Sequence, residues 1–261
     1  GKIKQKKVYT ETLENDIKEV CRLKELKLKE DAVLGLEIIA LEDTRIYSGY
    51  YETQSSIESR DVELGICICT FKREEFVERN MKAMTEGILE NPEALSYGRV
   101  QIIISDNAQS LEAEKIENER ITIVKNRNLG GVGGFTRAMM EHLHGKNEIT
   151  HFLLMDDDAT IDPEAVERTY RFLSVLKPEY YEYLIGGSLM RKDSSLIQYE
   201  RGAVWNNGQL LINGCDMDLG TIDHAIMSEW EEFSDYAAWC YCCIPREHIV
   251  KTGLPLPIFI H

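Results

Sequence analysis

An apolar run, His151-Phe152-Leu153-Leu154-Met155, breaks off into three aspartates, Asp156, Asp157 and Asp158. A short buried strand explains the run. Three adjacent carboxylates at its end repel one another, and a bound cation would stabilise them best. Side chains at i and i+2 of an extended chain point to the same side, so Asp156 and Asp158 can share one hard ion, Mg²⁺ or Mn²⁺. A solvated acidic turn leading into a helix accounts for the same residues, with Asp162-Pro163-Glu164 as N-cap and first turn.

The chain has 261 residues, enough for one large α/β domain with a small appendage. Thirty Lys and Arg against 45 Asp and Glu leave a net charge of −15, a surface that repels nucleic acid and anionic lipid outside any local basic patch. General nucleic-acid binding is therefore not expected. No apolar stretch approaches the roughly 20 residues of a membrane-spanning helix, and the lysine-rich start lacks the apolar segment of a secretion signal. A cytoplasmic protein is expected. Seven cysteines, an odd number, sit at 21, 67, 69, 215, 240, 242 and 243. Without a second pair at metal-ribbon spacing, they read as buried free thiols of a reducing compartment.

Residues 1–60 differ from the rest. Glu14 to Lys29 reads as a weakly amphipathic helix, and Ala32 to Tyr51 as two strands about a turn at Glu42-Asp43-Thr44-Arg45. This segment is expected to be a β-rich appendage, with the main domain spanning 61–261. Strands are predicted at Leu64–Thr70, Val100–Ser105, Ile121–Lys125, Phe152–Met155 and Leu184–Met190. Helices are predicted at Arg73–Glu90, Leu111–Asn118, Phe135–His144 and Pro163–Leu176. Such alternation predicts an α/β fold with a mostly parallel sheet, whose ligands bind beyond the C-terminal ends of the strands. Thr70, Asp106, Asn128 and Asp156 to Asp158 all fall there.

Around that edge, Thr70-Phe71-Lys72-Arg73 offers a hydroxyl and two cations, and Arg73 suits a phosphate. Asp106-Asn107 can accept hydrogen bonds from a base or ribose, or form an ordinary turn. Asn128-Leu129-Gly130-Gly131-Val132-Gly133-Gly134 reads as a loop whose glycines allow close backbone approach. The next helix would present free N–H groups to an anion, with Arg137 on its first turn. The spacing is neither a Walker loop nor a dinucleotide fingerprint. His142 and His144, two apart on a helix, make a poor metal pair. Trp239 and Tyr236 suit a platform against a sugar face, or the core.

Together, Cys69-Thr70-Phe71-Lys72-Arg73, Ser105-Asp106-Asn107, the glycine stretch with Arg137, Met155-Asp156-Asp157-Asp158, Trp239, and Leu254-Pro255-Leu256-Pro257-Ile258-Phe259-Ile260 resemble the inverting GT-A glycosyltransferases of the family 2 type. Within these the chain is most similar to bacterial galactofuranosyltransferases, over about residues 63–261. The resemblance implies transfer of a sugar, most simply galactofuranose, from a UDP-sugar to a hydroxyl of a glycan or lipid-linked glycan, for cell-wall or surface polysaccharide. It implies that Thr70, Arg73, Asp106, Asn128, Arg137 and Asp157 line the donor site. Asp156 and Asp158 would hold Mn²⁺ or Mg²⁺, and Trp239 would meet the acceptor. It leaves room for peripheral association with the inner face of the plasma membrane.

In the family the catalytic aspartate follows the Leu-Pro-Leu-Pro-X-Phe-Ile segment, with a metal-binding histidine further on. This chain stops at His261, so the base stays unidentified and no measurable transfer by these residues alone is expected. Two other readings use the same residues. Asp156 as nucleophile and Asp158 as acid/base fit a haloacid-dehalogenase-type phosphatase, although that motif ordinarily opens its domain. A non-catalytic nucleotide-sugar-binding module is the third.

Overall fold

The computed structural model describes residues 6–13, 24–27, 33–47, 49–52, 56–146, 148–230, 232–256 and 258. Strands and helices alternate from Leu64 onward. They begin with β1 (Leu64–Thr70), α1 (Glu74–Met84, prolonged by a π turn over Thr85–Leu89), β2 (Val100–Asp106) and α2 (Ala113–Ile116). β3 (Ile121–Lys125), α3 (Gly130–His144), β4 (His151–Asp156) and α4 (Pro163–Ser174) follow. Shorter elements come next: β5 (Ile185–Gly186), β6 (Leu189–Met190), β7 (Ile197–Glu200), β8 (Ala203–Asn206), β9 (Gln209–Ile212) and β10 (Met217–Asp218). The last are α5 (Ile222–Ser228), β11 (Tyr241–Pro245) and α6 (Arg246–Thr252).

The main sheet has the order β3-β2-β1-β4-β11-β5. Its first four strands are parallel, as the alternation predicts, while β11 runs antiparallel to both β4 and β5. Both faces are covered. Leu64, Ile66 and Ile68 of β1 and Leu153 and Met155 of β4 share one core with Val77, Met81 and Met84 of α1 and Val166 and Leu173 of α4. Cys67, Phe152 and Leu154 share the other with Phe135, Ala138 and Met139 of α3 and Ile249 of α6. Double burial is why β1 and β4 read as unbroken apolar runs rather than alternating ones. Phe152 is fully buried, which contributes about 1.5–3 kcal/mol for one side chain.

Several boundaries differ from expectation. The glycine stretch is not a loop: α3 begins at Gly130, so its first turn and a half carries all four glycines. Gly134 has to be glycine because an added Cβ would lie 2.1 Å from Cys69 Sγ, so tight seating of helix on strand outweighs poor helix propensity. The helix expected at Leu111–Asn118 shrinks to one turn, α2. The strand expected at Leu184–Met190 splits into β5 in the main sheet and β6 in a three-stranded sheet, β10-β7-β6. At α4 the predicted cap is present, with Asp162 Oδ1 accepting from the Glu164 N–H at 3.0 Å and Pro163 at the first position.

The two strands expected within Ala32–Tyr51 do not form over described residues 33–47 and 49–52, which show only a bend at Leu41–Asp43. Leu36, Ile38, Ile39, Leu41 and Tyr47 there are all more than half exposed. A two-stranded hairpin with no face to pack on is marginal by itself. The helix expected at Glu14–Lys29 lies largely outside the described residues. Cys67, Cys242 and Cys243 are buried free thiols, Cys69 and Cys240 are half-buried, and Cys215 is exposed in the segment between β9 and β10; Cys21 lies outside the described residues.

Candidate active site

Parallel register sets β1, β2 and β4 level at their C-terminal ends, pairing Thr70 with Asp106 and Cys69 with Asp156. Thr70, Arg73, Asp106, Asn107 and the three aspartates thus come to one edge from three separate stretches of chain. Thr70 is 2% exposed and its hydroxyl finds no hydrogen-bond partner among the described residues. An unpartnered buried hydroxyl costs free energy, so this one is poised for a polar ligand.

The acidic strand end is crowded. Asp156 is half-buried and its carboxyl is pushed above the ordinary carboxylate range, first by desolvation and then by Asp158 and Asp157. Arg73, in the turn after β1, meets Asp157 Oδ1 at 3.1 Å and also pairs with Asp158. Three carboxyl groups against one guanidinium leave room for further positive charge, and the donors are all hard oxygens of the kind Mg²⁺ and Mn²⁺ prefer. Among the described residues no three His, Cys, Asp or Glu side chains gather as a metal cluster. A cation here would take two carboxylates and draw the rest of its shell from ligand and water, the usual pattern for a metal carrying phosphates.

Backbone geometry at this edge is fastened by side chains whose roles were partly missed from sequence. Asp106 is 1% exposed, and its carboxylate accepts from the N–H groups of Ala108 (3.0 Å), Gln109 (2.8 Å) and Leu111 (2.9 Å). It is therefore already committed to shaping the turn after β2, the alternative left open above. Asn107 ties that turn to the start of α3: its Nδ2 donates to the Gly130 carbonyl at 3.2 Å, and its Oδ1 accepts from Asn126 Nδ2 at 2.8 Å. Asn128 is exposed, and its Oδ1 accepts from the Gly130 N–H at 3.1 Å. Asn80 is the residue sequence reasoning overlooked. A polar side chain at a buried position of the α1 stripe Val77-Asn80-Met81-Met84 was the available signal.

Arg137 finds its ion-pair partner on its own helix rather than among the aspartates. It pairs with Glu141 Oε1 at 2.7 Å and lines a cavity of about 250 Å³ on the outer face of α3, with Leu129, Val132, Met140 and Pro255. Trp239 is half-buried with its ring edge-to-face against Phe135, centroids 5.6 Å apart, and packs on the second core. His142 is no metal ligand: its Nε2 is bonded to the Ile66 carbonyl at 3.0 Å, and burial pushes its pKa down to about 4.

With this geometry in view, the chain can be set beside known proteins. It is 26% identical over 240 residues to the galactofuranosyltransferase GlfT2 of Mycolicibacterium smegmatis, covering 83% of this chain and 35% of that protein. It is likewise 26% identical over 152 residues to GlfT2 of Mycobacterium tuberculosis, covering 54% of this chain and 23% of that one. The chain thus spans about a third or less of the length of these relatives. Among solved structures, a mannosyltransferase from Pyrobaculum calidifontis in complex with GDP-Man and Mn²⁺ is similar, with a TM-score of 0.45 at 8% identity over 78% of this chain and 52% of that one. The family model described as Glycosyl transferase family 2 matches residues 65–207, from β1 through the parallel strands and the aspartates to the end of β8. More than half of the residues lie in that match, and the chain belongs to glycosyl transferase family 2.

Proposed function

We propose that the chain carries the donor-binding half of an enzyme that moves a sugar from a UDP-sugar to a glycan hydroxyl with inversion, galactofuranose being the sugar its relatives suggest. The observation that carries this reading is the shared edge: a buried unpartnered hydroxyl, a guanidinium and three carboxyls delivered by parallel strands to one level. Asp156 and Asp158 would hold Mn²⁺ or Mg²⁺, which when bound would neutralise charge developing on the departing diphosphate. Arg73, held beside Asp157 and Asp158, would swing its guanidinium between the carboxylates and the phosphates. Thr70 would give its hydroxyl to the nucleotide, and Asp106 would act through the turn it shapes rather than by direct contact. Asn128 would line the cleft beside the first turn of α3. Arg137, occupied by Glu141 on the outer face of the helix, would act there only after a change of rotamer. Trp239 would offer its free edge to the acceptor.

No helix among the described residues is long and apolar enough to cross a membrane; we place the activity in the cytoplasm, with a glycan or lipid-linked acceptor. Calorimetric titration of UDP with and without Mn²⁺, into the protein and into Asp158→Asn, tests the reading. Metal-dependent binding that disappears in the variant is expected. Equal heats with and without metal would remove the basis for a donor site at the aspartates.

A further inference from the structure

Just after β4 the chain turns through Asp157 to Ile161, and only Asp156 of the three aspartates belongs to a strand. Asp157 and Asp158 therefore owe their placement to something other than the sheet ladder. Asn80 supplies it. This side chain is 2% exposed, on the face of α1 turned to the core. Its Nδ2 donates to the Asp157 carbonyl at 3.0 Å and the Ala159 carbonyl at 2.8 Å. Its Oδ1 accepts from Arg79 Nη2 at 3.2 Å and from the Ile161 N–H at 3.5 Å. Backbone carbonyls can only accept, so Nδ2 and not Oδ1 must face them, and the amide orientation is determined by its partners. Arg79 adds a bond of its own to the Ala159 carbonyl at 3.3 Å, so α1 grips the turn twice.

We infer that Asn80 is a positioning residue for the donor site: it holds the turn carrying Asp157 and Asp158 at the spacing a diphosphate-bound cation needs. The inference rests on the donor-site reading above. A flexible turn would leave Asp158 free to leave the metal or to collapse fully onto Arg73, whereas a turn pinned at three backbone groups keeps the carboxylate in place before any ligand arrives. Residues that orient metal ligands from behind cost roughly 10–100-fold in metal affinity or activity when changed. Aspartate at this position has the same size but, when ionised, no N–H to give, so it removes both donated bonds without opening a cavity.

A comparison is built into the fold. Glu167 is an equally buried polar clamp, 6% exposed, accepting from the N–H groups of Leu95 at 2.9 Å and Ser96 at 3.1 Å in the loop that leads into β2, at the opposite end of the sheet. The experiment titrates UDP calorimetrically with Mn²⁺ into the unchanged protein, Asn80→Asp, Asn80→Ala and Glu167→Gln, with the thermal midpoint of each and amide hydrogen exchange over residues 157–161. Both Asn80 variants are expected to lose roughly 10–100-fold in Mn²⁺-supported UDP affinity and to exchange faster at 157–161 without ligand. Glu167→Gln is expected to lower the midpoint while leaving affinity and that exchange unchanged. Unaltered UDP affinity in the Asn80 variants, or a loss in Glu167→Gln matched to its fall in midpoint, overturns the inference. Failure of the unchanged protein to bind UDP with Mn²⁺ overturns the donor-site reading itself. Exchange at 157–161 then still decides whether Asn80 holds the turn.

Discussion

A methyl group added at residue 134 would stand 2.1 Å from Cys69 Sγ and 2.8 Å from Cys69 Cβ, distances no packed interior tolerates. Gly134→Ala is therefore expected to push α3 off β1 and to cost about 1–3 kcal/mol in urea unfolding. Adding Cys69→Ala removes the worse of the two contacts, so the double variant should recover part of that loss; simple addition of the two losses would show that the clash is not what matters. His142 sets a different dependence. Burial lowers its pKa from 6.5 to about 4, so the folded state holds the ring neutral where the unfolded chain binds a proton. Its contribution is present above pH 6.5 and is lost as pH falls from 6.5 towards 4, by about 3 kcal/mol if the shift is fully expressed. His151, lowered to about 4 by burial and then by Arg60, adds to the same window. Unfolding of His142→Gln across pH 4–7 should show a shallower slope than the unchanged protein, and an identical slope would assign the acid sensitivity elsewhere.

Among the elements, α5 has little packing of its own and none of its residues is buried. Arg201 instead closes its end, donating Nη1 to the carbonyls of Met227 (3.1 Å), Ser228 (3.2 Å) and Trp230 (3.3 Å) while Nη2 pairs with Glu232 at 2.9 Å. A cation at the last carbonyls of a helix satisfies acceptors that the helix cannot. Arg201→Ala should make residues 222–236 the first site of limited proteolysis, with the parallel sheet left intact; cleavage unchanged in rate and place would deny Arg201 that role. Elements differ in how far they could be read from sequence. β1 and β4 were legible because burial on both faces leaves an apolar run bounded by polar residues. The start of α3 was not, since its glycines argue for a loop locally and only Cys69 and Asn107, distant in sequence, make Gly134 the residue that fits. The strands expected before residue 52 failed for the converse reason: alternation marks a strand only where a partner surface exists to receive it.

At the scale of the molecule, the parallel order of β1 to β4 was the part of the site that sequence reached, because polar residues after successive parallel strands must gather at one edge. What stayed hidden was which of them act directly. Asp106 and Asn107 look alike as strand-end polar residues, yet both turn out to fasten backbone, and Asn80 sits in a helix with no motif around it. The position of β11 could not be foreseen either, since an antiparallel strand beside β4 depends on everything folded between them. That placement has a kinetic consequence. During synthesis β1, β2, β3 and β4 emerge and can pair first, while the flank of β4 that later receives β11 waits through the whole of β5 to α5. An apolar strand with one flank open is a template for pairing between nascent chains. The hazard lasts until Tyr241–Pro245 leaves the ribosome, which makes the interval between these two strands the stretch of translation in which a chaperone would matter most.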